Sequence, residues 1–414
     1  MNPAVASLLA LLAVIVASLF SRVNVGMLAV ALAWPIAMAG AGWKADALMQ
    51  TFPASLFLTL LGVTLLFGAS QTNGTMEALT RHALRLCRGN TVLLPPLFFA
   101  MACGVSTLGA GAISSTALVA PLAMAISARA GVPVFLTALM VGNGANAGNL
   151  SPISAVGIIV QTLMRGVGLG GHEWSVWAAN FTAHALAGLG AWLLFGGLAQ
   201  LRRGRVDLAT TVTPLTWAQR VTIAVTTVWI LGVVVLKMHP GLSAFAAAGL
   251  LVLLGAALDG PVVRSVPWSV VVMVCGVSML IGVLEKTGGM DLFTTLLASM
   301  TTPATVNGAI AFVTGLISTY SSTSGVVYPA FLPAVPGLVQ KLGGGDPLQV
   351  AMSINVGAAL VDVSPLSTIG ALAIAAIPAS EDARALFRKL LLWGLSMTVA
   401  GAIFCQCLIW VFTR

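Results

Sequence analysis

The sequence predicts an all-α membrane protein of two inverted repeats, each with five transmembrane helices, one re-entrant hairpin and a helix broken at the membrane midplane. Three observations predict this fold class: the scarcity of charge, the recurrence of long apolar runs, and a polar motif that occurs twice. The chain has 414 residues, of which 58% are hydrophobic and only 7% are charged. Soluble domains carry roughly 25% charged residues. Lipid is therefore the expected solvent for most of this surface.

Apolar runs long enough to cross a hydrocarbon core of about 30 Å recur along the whole chain. In the first half we predict spans at 3–20, 23–41, 52–70 and 175–200, an amphipathic stretch at 75–88, a hairpin at 91–130 and a broken span at 133–165. In the second half we predict spans at 217–236, 243–258, 267–284 and 386–412, an interfacial stretch to near 300, a hairpin at 303–340 and a broken span at 347–378. The repeats are then 1–201 and 217–414, joined by a cytoplasmic linker at 202–216.

The distribution of basic residues predicts the orientation of the two halves. An odd number of crossings in each half inserts the second half upside down relative to the first. With both termini outside a bacterial inner membrane, most of the basic residues lie in cytoplasmic loops, among them Arg22, Arg129, Arg205 and Arg264, as the positive-inside rule requires. The net charge of +8 is explained by this asymmetry, so we expect no nucleic-acid partner.

A polar motif in the first broken span reappears in the second. The segment 144–157 contains Ser151-Pro152-Ile153-Ser154, and the segment 357–370 contains Ser364-Pro365-Leu366-Ser367 in the same register. Each copy follows a Ser-Ser-Thr triplet with a later proline, at 114–116 with Pro121 and at 321–323 with Pro329. The ordered recurrence of these features predicts a duplicated fold.

The two Ser-Pro pairs predict interrupted helices, and the interruptions predict a binding site. Proline removes a backbone donor, and an unwound segment inside hydrocarbon persists only where protein or a water-filled cavity satisfies its polar groups. A single proline kink is common in membrane helices. Two kinks at matching places, each paired with a Ser/Thr-rich hairpin tip, favour a substrate site at the interface of the repeats.

The residues around these breaks predict a site for an anion and a cation. Helix N-termini and hydroxyl groups suit a carboxylate, whereas carbonyl and side-chain oxygens suit Na⁺. The substrate-binding candidates are Ser114, Ser115, Thr116, Ser151, Pro152, Ser322, Thr323, Ser364, Pro365 and Ser367. The ion-binding candidates are Ser114, Ser115, Asn146, Asn149, Ser321, Ser322 and Asp362. No cofactor is expected.

Asp362 is the acidic residue that lies well within an apolar segment, at the position that repeats Asn149. An ionisable group inside the membrane indicates function by default, so Asp362 is a candidate cation or proton site, although a protonated packing acid is the alternative. His184 has two open interpretations, a packed histidine or a proton relay. Without a basic residue inside the membrane, a dianionic substrate would need compensation by a co-transported cation.

The duplicated halves, the Ser-x-Thr hairpin tips and the helix broken at a proline resemble the ion transporter superfamily. The divalent anion/sodium symporter type is the most similar, in particular its MatC-type malonate and dicarboxylate carriers. The resemblance implies that Ser114-Ser115-Thr116 and Ser321-Ser322-Thr323 contact a substrate carboxylate and Na⁺, where those symporters have Ser-Asn-Thr. It also implies a homodimer and an elevator-like movement of the site.

These observations predict secondary active uptake of a small dicarboxylate, of the malonate or C4 class, by Na⁺ or H⁺ symport. The alternative is a cation/proton antiporter of the same fold that exchanges ions through Asp362 and His184. An intramembrane enzyme is disfavoured, because the sequence contains neither His-Glu-x-x-His nor Gly-x-Ser-x-Gly. The expected partners are a small anionic substrate and membrane lipid.

Overall fold

The computed structural model describes residues 2–20, 23–84, 90–196, 200, 214–236, 238–378 and 381–414. All regular elements in this part of the chain are helices, so the predicted all-α class is confirmed. Most of the predicted linker at 202–216, together with Arg22 and Arg205, lies outside the described residues.

The helices of the two halves follow one another in similar order. The first half contains α1 (Pro3–Phe20), α2 (Val25–Pro35, continued by a π-helical turn at Ile36–Gly40), α3 (Ala45–Met49), α4 (Ala54–Thr72), α5 (Thr75–Leu84), α6 (Leu94–Val105, continued by a π-helical turn at Ser106–Ala110), α7 (Gly111–Ala130), α8 (Val134–Asn149), α9 (Ala155–Gly166) and α10 (Glu173–Leu194). The second half contains α11 (Trp217–Val234), α12 (Pro240–Leu253), α13 (Asp259–Ser265), α14 (Trp268–Lys286), α15 (Gly289–Ala298), α16 (Val306–Ser318), a π-helical turn at Thr323–Val327, α17 (Tyr328–Phe331), a 3₁₀ turn at Leu332–Ala334, α18 (Val335–Leu342), α19 (Pro347–Leu360), α20 (Thr368–Ala375) and α21 (Ala383–Leu408, continued by a 3₁₀ turn at Ile409–Phe412). The predicted spans correspond to these helices to within two helical turns.

Local sequence explains where several helices begin. Asp346 caps α19 by accepting a hydrogen bond from the Leu348 amide at 2.8 Å, and Pro347 occupies the first helical position, where a missing N–H costs nothing. Asp382 caps α21, and hydrogen bonds from the backbone N–H groups of Ala385 and Arg384 hold the pKa of its carboxyl below the usual value. Such caps satisfy amide groups that lack an intrahelical partner.

Four helical segments of the described chain are long and apolar enough to cross a membrane by length and composition: Ala54–Thr72, Leu94–Ala130, Trp268–Lys286 and Ala383–Phe412. Shorter apolar helices accompany them. The segment Leu94–Ala130 is two helices, because α6 packs against α7 and the Ser115 hydroxyl donates to the Ala102 carbonyl at 2.6 Å. The chain therefore reverses direction inside the predicted hairpin 91–130.

Helix contacts occur in matching pairs. Within the halves α6 packs on α8 as α16 packs on α19, and α8 packs on α10 as α19 packs on α21. Between the halves α2 packs on α14, and α4 packs on α12. The Asn73 amide at the end of α4 donates to the Thr222 hydroxyl of α11 at 2.7 Å, and the Thr287 hydroxyl at the end of α14 lies 2.8 Å from that of Ser7 in α1. The contacts of one half with the other therefore come in equivalent pairs. In addition, α7 of the first hairpin packs on α20, and α9 packs on the turn at Thr323–Val327, so each hairpin lies against the broken helix of the other half.

Candidate functional site

A cavity of about 310 Å³ lies where four interruptions of the helices meet. These are the reversal between α6 and α7, the segment between α16 and α17, and the breaks that separate α8 from α9 and α19 from α20. The lining includes residues 109–114, Asn149, Ala155, Val156, 320–324, Asp362 and 366–369, with Thr64 and Phe67 of α4 and Val270 and Met273 of α14. Small-molecule sites occupy roughly 300–1,000 Å³, so the cavity is large enough for a small organic ion.

Each break is closed by the second serine of the Ser-Pro-x-Ser motif. Ser154 caps α9 by accepting from the Gly157 amide at 3.0 Å, and its hydroxyl donates to the carbonyl of Asn149 at the end of α8. Ser367 caps α20 in the same way through Gly370 at 3.4 Å, and it donates to the carbonyl of Asp362. One hydroxyl therefore bridges the two helix ends at each break, which satisfies polar groups that hydrocarbon could not.

The glycine three positions after each capping serine is required by close packing. A Cβ atom at Gly157 would lie 1.9 Å from the Ser151 carbonyl oxygen, and one at Gly370 would lie 2.1 Å from the Ser364 carbonyl oxygen. Neither position has room for a methyl group. The recurrence of glycine in the two copies of the motif thus has a steric cause.

The first hairpin reverses at glycines. Gly109 has φ 126° and Gly111 has φ 72°, conformations that residues with a side chain rarely adopt. The amide of Ala112, just after the reversal, donates to the Asn149 side-chain oxygen at 3.0 Å. The hairpin tip is therefore fixed to the end of α8 at the edge of the cavity.

The predicted tip triplet of the first half lies within α7, beyond the reversal. Ser114 lines the cavity, whereas Ser115 is buried and bonded to Ala102 within the hairpin. Thr116 is also buried, and its hydroxyl has no partner among the described residues. Of this triplet, Ser114 alone reaches the cavity lining.

The second hairpin has a different tip. Ser321, Ser322 and Thr323 all line the cavity, and Ser322 caps the following helical turn by accepting from the Gly325 amide at 3.1 Å. The Thr323 hydroxyl contacts the Ser318 hydroxyl and forms a hydrogen bond with the Asp362 carboxyl. This triplet lies between α16 and the turn that starts at Thr323.

The structure changes the correspondence between the two hairpins. Segments 106–131 and 318–343 both begin with Ser-Thr, carry a proline at matching positions (Pro121 and Pro333) and end at a left-handed glycine. In this register Ser321-Ser322-Thr323 matches Gly109-Ala110-Gly111, and residues 114–116 match 326–328. The predicted pairing of the two Ser-Ser-Thr triplets, and of Pro121 with Pro329, is therefore wrong. That pairing rested on the identical Ser-Ser-Thr sequence of the two triplets, whereas glycines with positive φ form the first reversal.

Several predicted site residues support the cavity without lining it. Ser151 is buried, and its hydroxyl donates to the Thr107 carbonyl at 2.6 Å, which links the break to the first tip. Ser364 is also buried, and its hydroxyl accepts from the Leu366 amide at 3.4 Å. Pro152, Pro365 and Asn146 are likewise absent from the lining that the described residues form. The two serines and the two prolines shape the breaks rather than face the cavity, whereas Asn146 lies about one turn before the first break.

Asn149 and Asp362 occupy equivalent places and differ in charge. Both lie at a break and line the cavity, and each interacts with the neighbouring hairpin tip, Asn149 through Ala112 and Asp362 through Thr323. Asp362 is the charged side chain of the lining, and no Lys or Arg lines it within the described residues. The second half therefore supplies the negative charge of the site.

Four helix beginnings surround the cavity. The first turns of α7, α9 and α20 and the turn that starts at Thr323 all contribute lining residues. The N-terminal amides of a helix carry partial positive charge, so an anion can be held here without a basic side chain.

Phe67 and Met273 were missed by sequence reasoning, because nothing in their local sequence marks them. They pack against Gly109 and Gly325 of the two hairpins.

An apolar helical bundle with a cavity between two hairpins and two broken helices has the architecture of a membrane transporter. Residues 1–149 match the family model described as dicarboxylate carrier protein MatC N-terminus, which confirms the predicted resemblance to MatC-type carriers. Among solved structures, the chain is similar to the YdaH transporter of Alcanivorax borkumensis, described as having an unusual topology. The TM-score is 0.60 and the identity 16%, over 89% of this chain and 89% of that chain. The comparison with curated proteins gave no match.

The family match over residues 1–149 and the apolar helices support a transporter with several membrane-spanning helices. The family match covers the first hairpin and α8 as far as Asn149, so it includes the first-half residues that line the cavity up to the break. The structural similarity covers most of the chain and shows the fold.

Proposed function

We propose that this transporter takes up a small dicarboxylate together with Na⁺ or H⁺. The observation that carries the proposal is the composition of the cavity wall: four helix beginnings, several hydroxyl groups and one carboxylate, with no basic side chain among the described lining residues. Helix N-termini suit the carboxylates of the substrate, and Asp362 suits a cation. The family match to dicarboxylate carriers supports the same substrate class.

Charge balance favours symport over uniport. A dicarboxylate brings two negative charges to a site that already holds Asp362, and like charges at short distance in a low-dielectric environment repel strongly. A cation bound near Asp362, Ser321 and Ser322 would remove this repulsion, as would protonation of the carboxyl. Ser114, Thr323 and Ser367 offer hydroxyl groups to the substrate. Substrate and cation then stabilise each other's binding, which is the thermodynamic basis of coupling.

The paired helix contacts support two inverted repeats. α2 packs on α14, and α4 packs on α12. If α2 corresponds to α12 and α4 to α14, these two contacts are equivalent, as expected for repeats related by a two-fold axis. In the proposed topology the two hairpins are re-entrant, both termini lie outside the bacterial inner membrane, and the protein forms a homodimer. Elevator-type movement would carry the hairpins and the broken helices past α4 and α14, which supply the apolar wall of Phe67 and Met273.

The test is uptake by the full-length protein in liposomes. Labelled malonate, succinate, malate and citrate are supplied outside, and a Na⁺ gradient or a pH gradient is imposed separately. We expect accumulation of at least one dicarboxylate above its equilibrium level under one of the two gradients. Absence of dicarboxylate uptake under both gradients, with protein shown to be folded and inserted, would contradict the proposal.

The antiporter alternative has less structural support. It requires Asp362 and His184 to exchange ions at a common site, but His184 is fully buried between α8 and α10 and does not line the cavity. Transport current would separate the two functions, since symport requires the organic anion and antiport does not.

A further inference from the structure

Three asparagines form a stripe along the buried helix α8. Asn143, Asn146 and Asn149 are spaced three residues apart, which places them on neighbouring positions of one helix face. Asn149 lines the cavity, and the other two are fully buried. The corresponding residues of the second half are Val356 and Ala359 in α19 and Asp362 just beyond its end, so the stripe belongs to the first half alone.

Two polar residues of α10 face this stripe. The Asn180 amide donates to the Asn146 carbonyl at 2.7 Å, and His184 Nδ1 lies 3.1 Å from the Asn143 side-chain oxygen. Asn180 and His184 are one turn apart and fully buried. The two contacts place them side by side with Asn146 and Asn143 across the interface between the helices.

The hydrogen bonds fix the orientation of these groups. Asn143 Nδ2 donates to the Leu139 carbonyl at 2.9 Å, so its oxygen must face His184, and His184 must carry a proton on Nδ1. In a neutral imidazole the other nitrogen, Nε2, is then a bare acceptor. Asn180 is fixed in the same way, because its nitrogen faces a carbonyl and its oxygen remains free.

The result is a buried cluster with too many acceptors. Three acceptors of the cluster, Asn146 Oδ1, Asn180 Oδ1 and His184 Nε2, are buried without a hydrogen-bond partner among the described residues. In the cluster of Asn143, Asn146, Asn180 and His184, the unpaired donor is Asn146 Nδ2. A buried polar atom without a partner costs about 1–3 kcal/mol. A ligand that accepts electron pairs would remove most of this cost.

We propose that Asn146 and Asn180 form a buried binding site for a monovalent cation, Na⁺ by preference, separate from the transport cavity. Their side-chain oxygens are ligands that a hard cation favours, and a water molecule on the ion would donate to His184 Nε2. The four side chains include no carboxylate, and Ca²⁺ sites are built largely from carboxylates. Asn149 connects the site to the cavity, so the ion would enter along the stripe.

The site adds a structural cation to the proposed symport, and its test needs no substrate. Purified full-length protein is unfolded by heat in NaCl, KCl or choline chloride at equal ionic strength. The Asp362→Asn variant is the background, because it weakens the binding of a cation at the cavity and so reduces the contribution of that cation to the Tm. We expect NaCl to raise the Tm of this variant with a saturating concentration dependence.

Substitution of the ligands then tests the assignment. Asn180→Ala in that background should raise the half-saturating Na⁺ concentration by about tenfold or more. Loss of a group that supports a bound metal ion typically lowers the affinity for the ion by about 10–100-fold. Asn146→Asp adds a negative charge without bulk and should lower that concentration. Thr398→Ala is the matched control, because Thr398 is a buried hydroxyl bonded within its own helix to the Gly394 carbonyl at 3.4 Å. This control should leave the Na⁺ response unchanged.

Two results would overturn the proposal. Equal Tm values in NaCl, KCl and choline chloride would assign ordered water, rather than an ion, to the cluster. A Na⁺ response that neither Asn180→Ala nor Asn146→Asp alters would place the ion elsewhere. Either result leaves the dicarboxylate proposal intact, and failure of dicarboxylate uptake would leave this site intact.

Discussion

The two breaks share their geometry and differ in their chemistry. Ser154 and Ser367 bridge the interrupted helices through the same two hydrogen bonds, and Gly157 and Gly370 are required by the same close contact. At the position that faces the cavity, the first half has an amide and the second half a carboxylate. Residues that hold the backbone have therefore stayed alike, whereas a residue that faces the ligand has diverged.

The hairpin tips differ in the same manner. The first tip is made of Gly109-Ala110-Gly111 and offers backbone groups, whereas the second is made of Ser321-Ser322-Thr323 and offers hydroxyl groups next to Asp362. Hydroxyl and carboxylate oxygens suit a cation, and exposed amides suit an anion. In the proposed symport, the cation would therefore bind on the side of the second half, and the first half would contribute mainly to the anion.

The largest expected effect comes from the glycines that the two halves share. Gly157→Ala and Gly370→Ala would each force a Cβ atom to about 2 Å from a carbonyl oxygen. Overpacking of this kind costs about 1–3 kcal/mol, and occasionally more. We expect both variants to lower the Tm strongly and to a similar degree, measured by thermal unfolding of the purified protein.

Gly249→Ala is the matched control for these variants. Gly249 lies inside α12, and an added Cβ would meet nothing within 4 Å. Alanine in a helix interior is more favourable than glycine by roughly 0.5–1 kcal/mol, so this Tm should stay or rise. A wild-type Tm for one break variant and a collapse of the other would show that the two breaks are not geometrically equivalent.

The second prediction exchanges the residues in which the breaks differ. Asp362→Asn removes the charge of the cation side and should raise the Na⁺ or H⁺ concentration needed for half-maximal uptake by about tenfold, equal to 1.4 kcal/mol of binding. Asn149→Asp keeps the oxygen that accepts from Ala112 and adds a charge near the substrate. It should raise the KM for the dicarboxylate by a similar factor. Initial rates in liposomes, with ion and substrate varied separately, give both values.

The double variant sharpens this comparison. If the cation needs one carboxylate at either break, Asn149→Asp combined with Asp362→Asn should restore cation dependence. If the cation needs the hydroxyl-rich second tip, the double variant should be no better than Asp362→Asn alone, which is the outcome that we expect. Unchanged cation dependence in the single Asp362→Asn variant would assign Asp362 to packing and remove the basis of the comparison.

The breaks could be predicted from the sequence and the first tip could not, for a physical reason. A Ser-Pro-x-Ser motif with a glycine is local, since its proline, capping serine and close contact all lie within a few residues. The reversal at Gly109 and Gly111 depends on backbone angles, and the sequence presents the more conspicuous triplet at 114–116 a turn later. The partners of Asn146 and Asn143 come from α10, at Asn180 and His184. Such long-range contacts follow from helix packing and leave no local pattern.

The smallest expected effect separates two neighbouring serines of the first hairpin. Ser115→Ala removes the hydrogen bond to Ala102 inside the hairpin and should destabilise the protein by about 1 kcal/mol. The KM for substrate should be unchanged. Ser114→Ala changes a residue of the cavity wall and should raise that KM severalfold with little change in Tm. Both quantities are measured on the same preparations, by uptake and by thermal unfolding, with Ser299→Ala on an exposed hydroxyl as the control. In the reverse pattern, Ser115→Ala would raise the KM and Ser114→Ala would not. That result would mean that residues 114–116 face the substrate, and that the first tip resembles the second more closely than the glycines at 109 and 111 indicate.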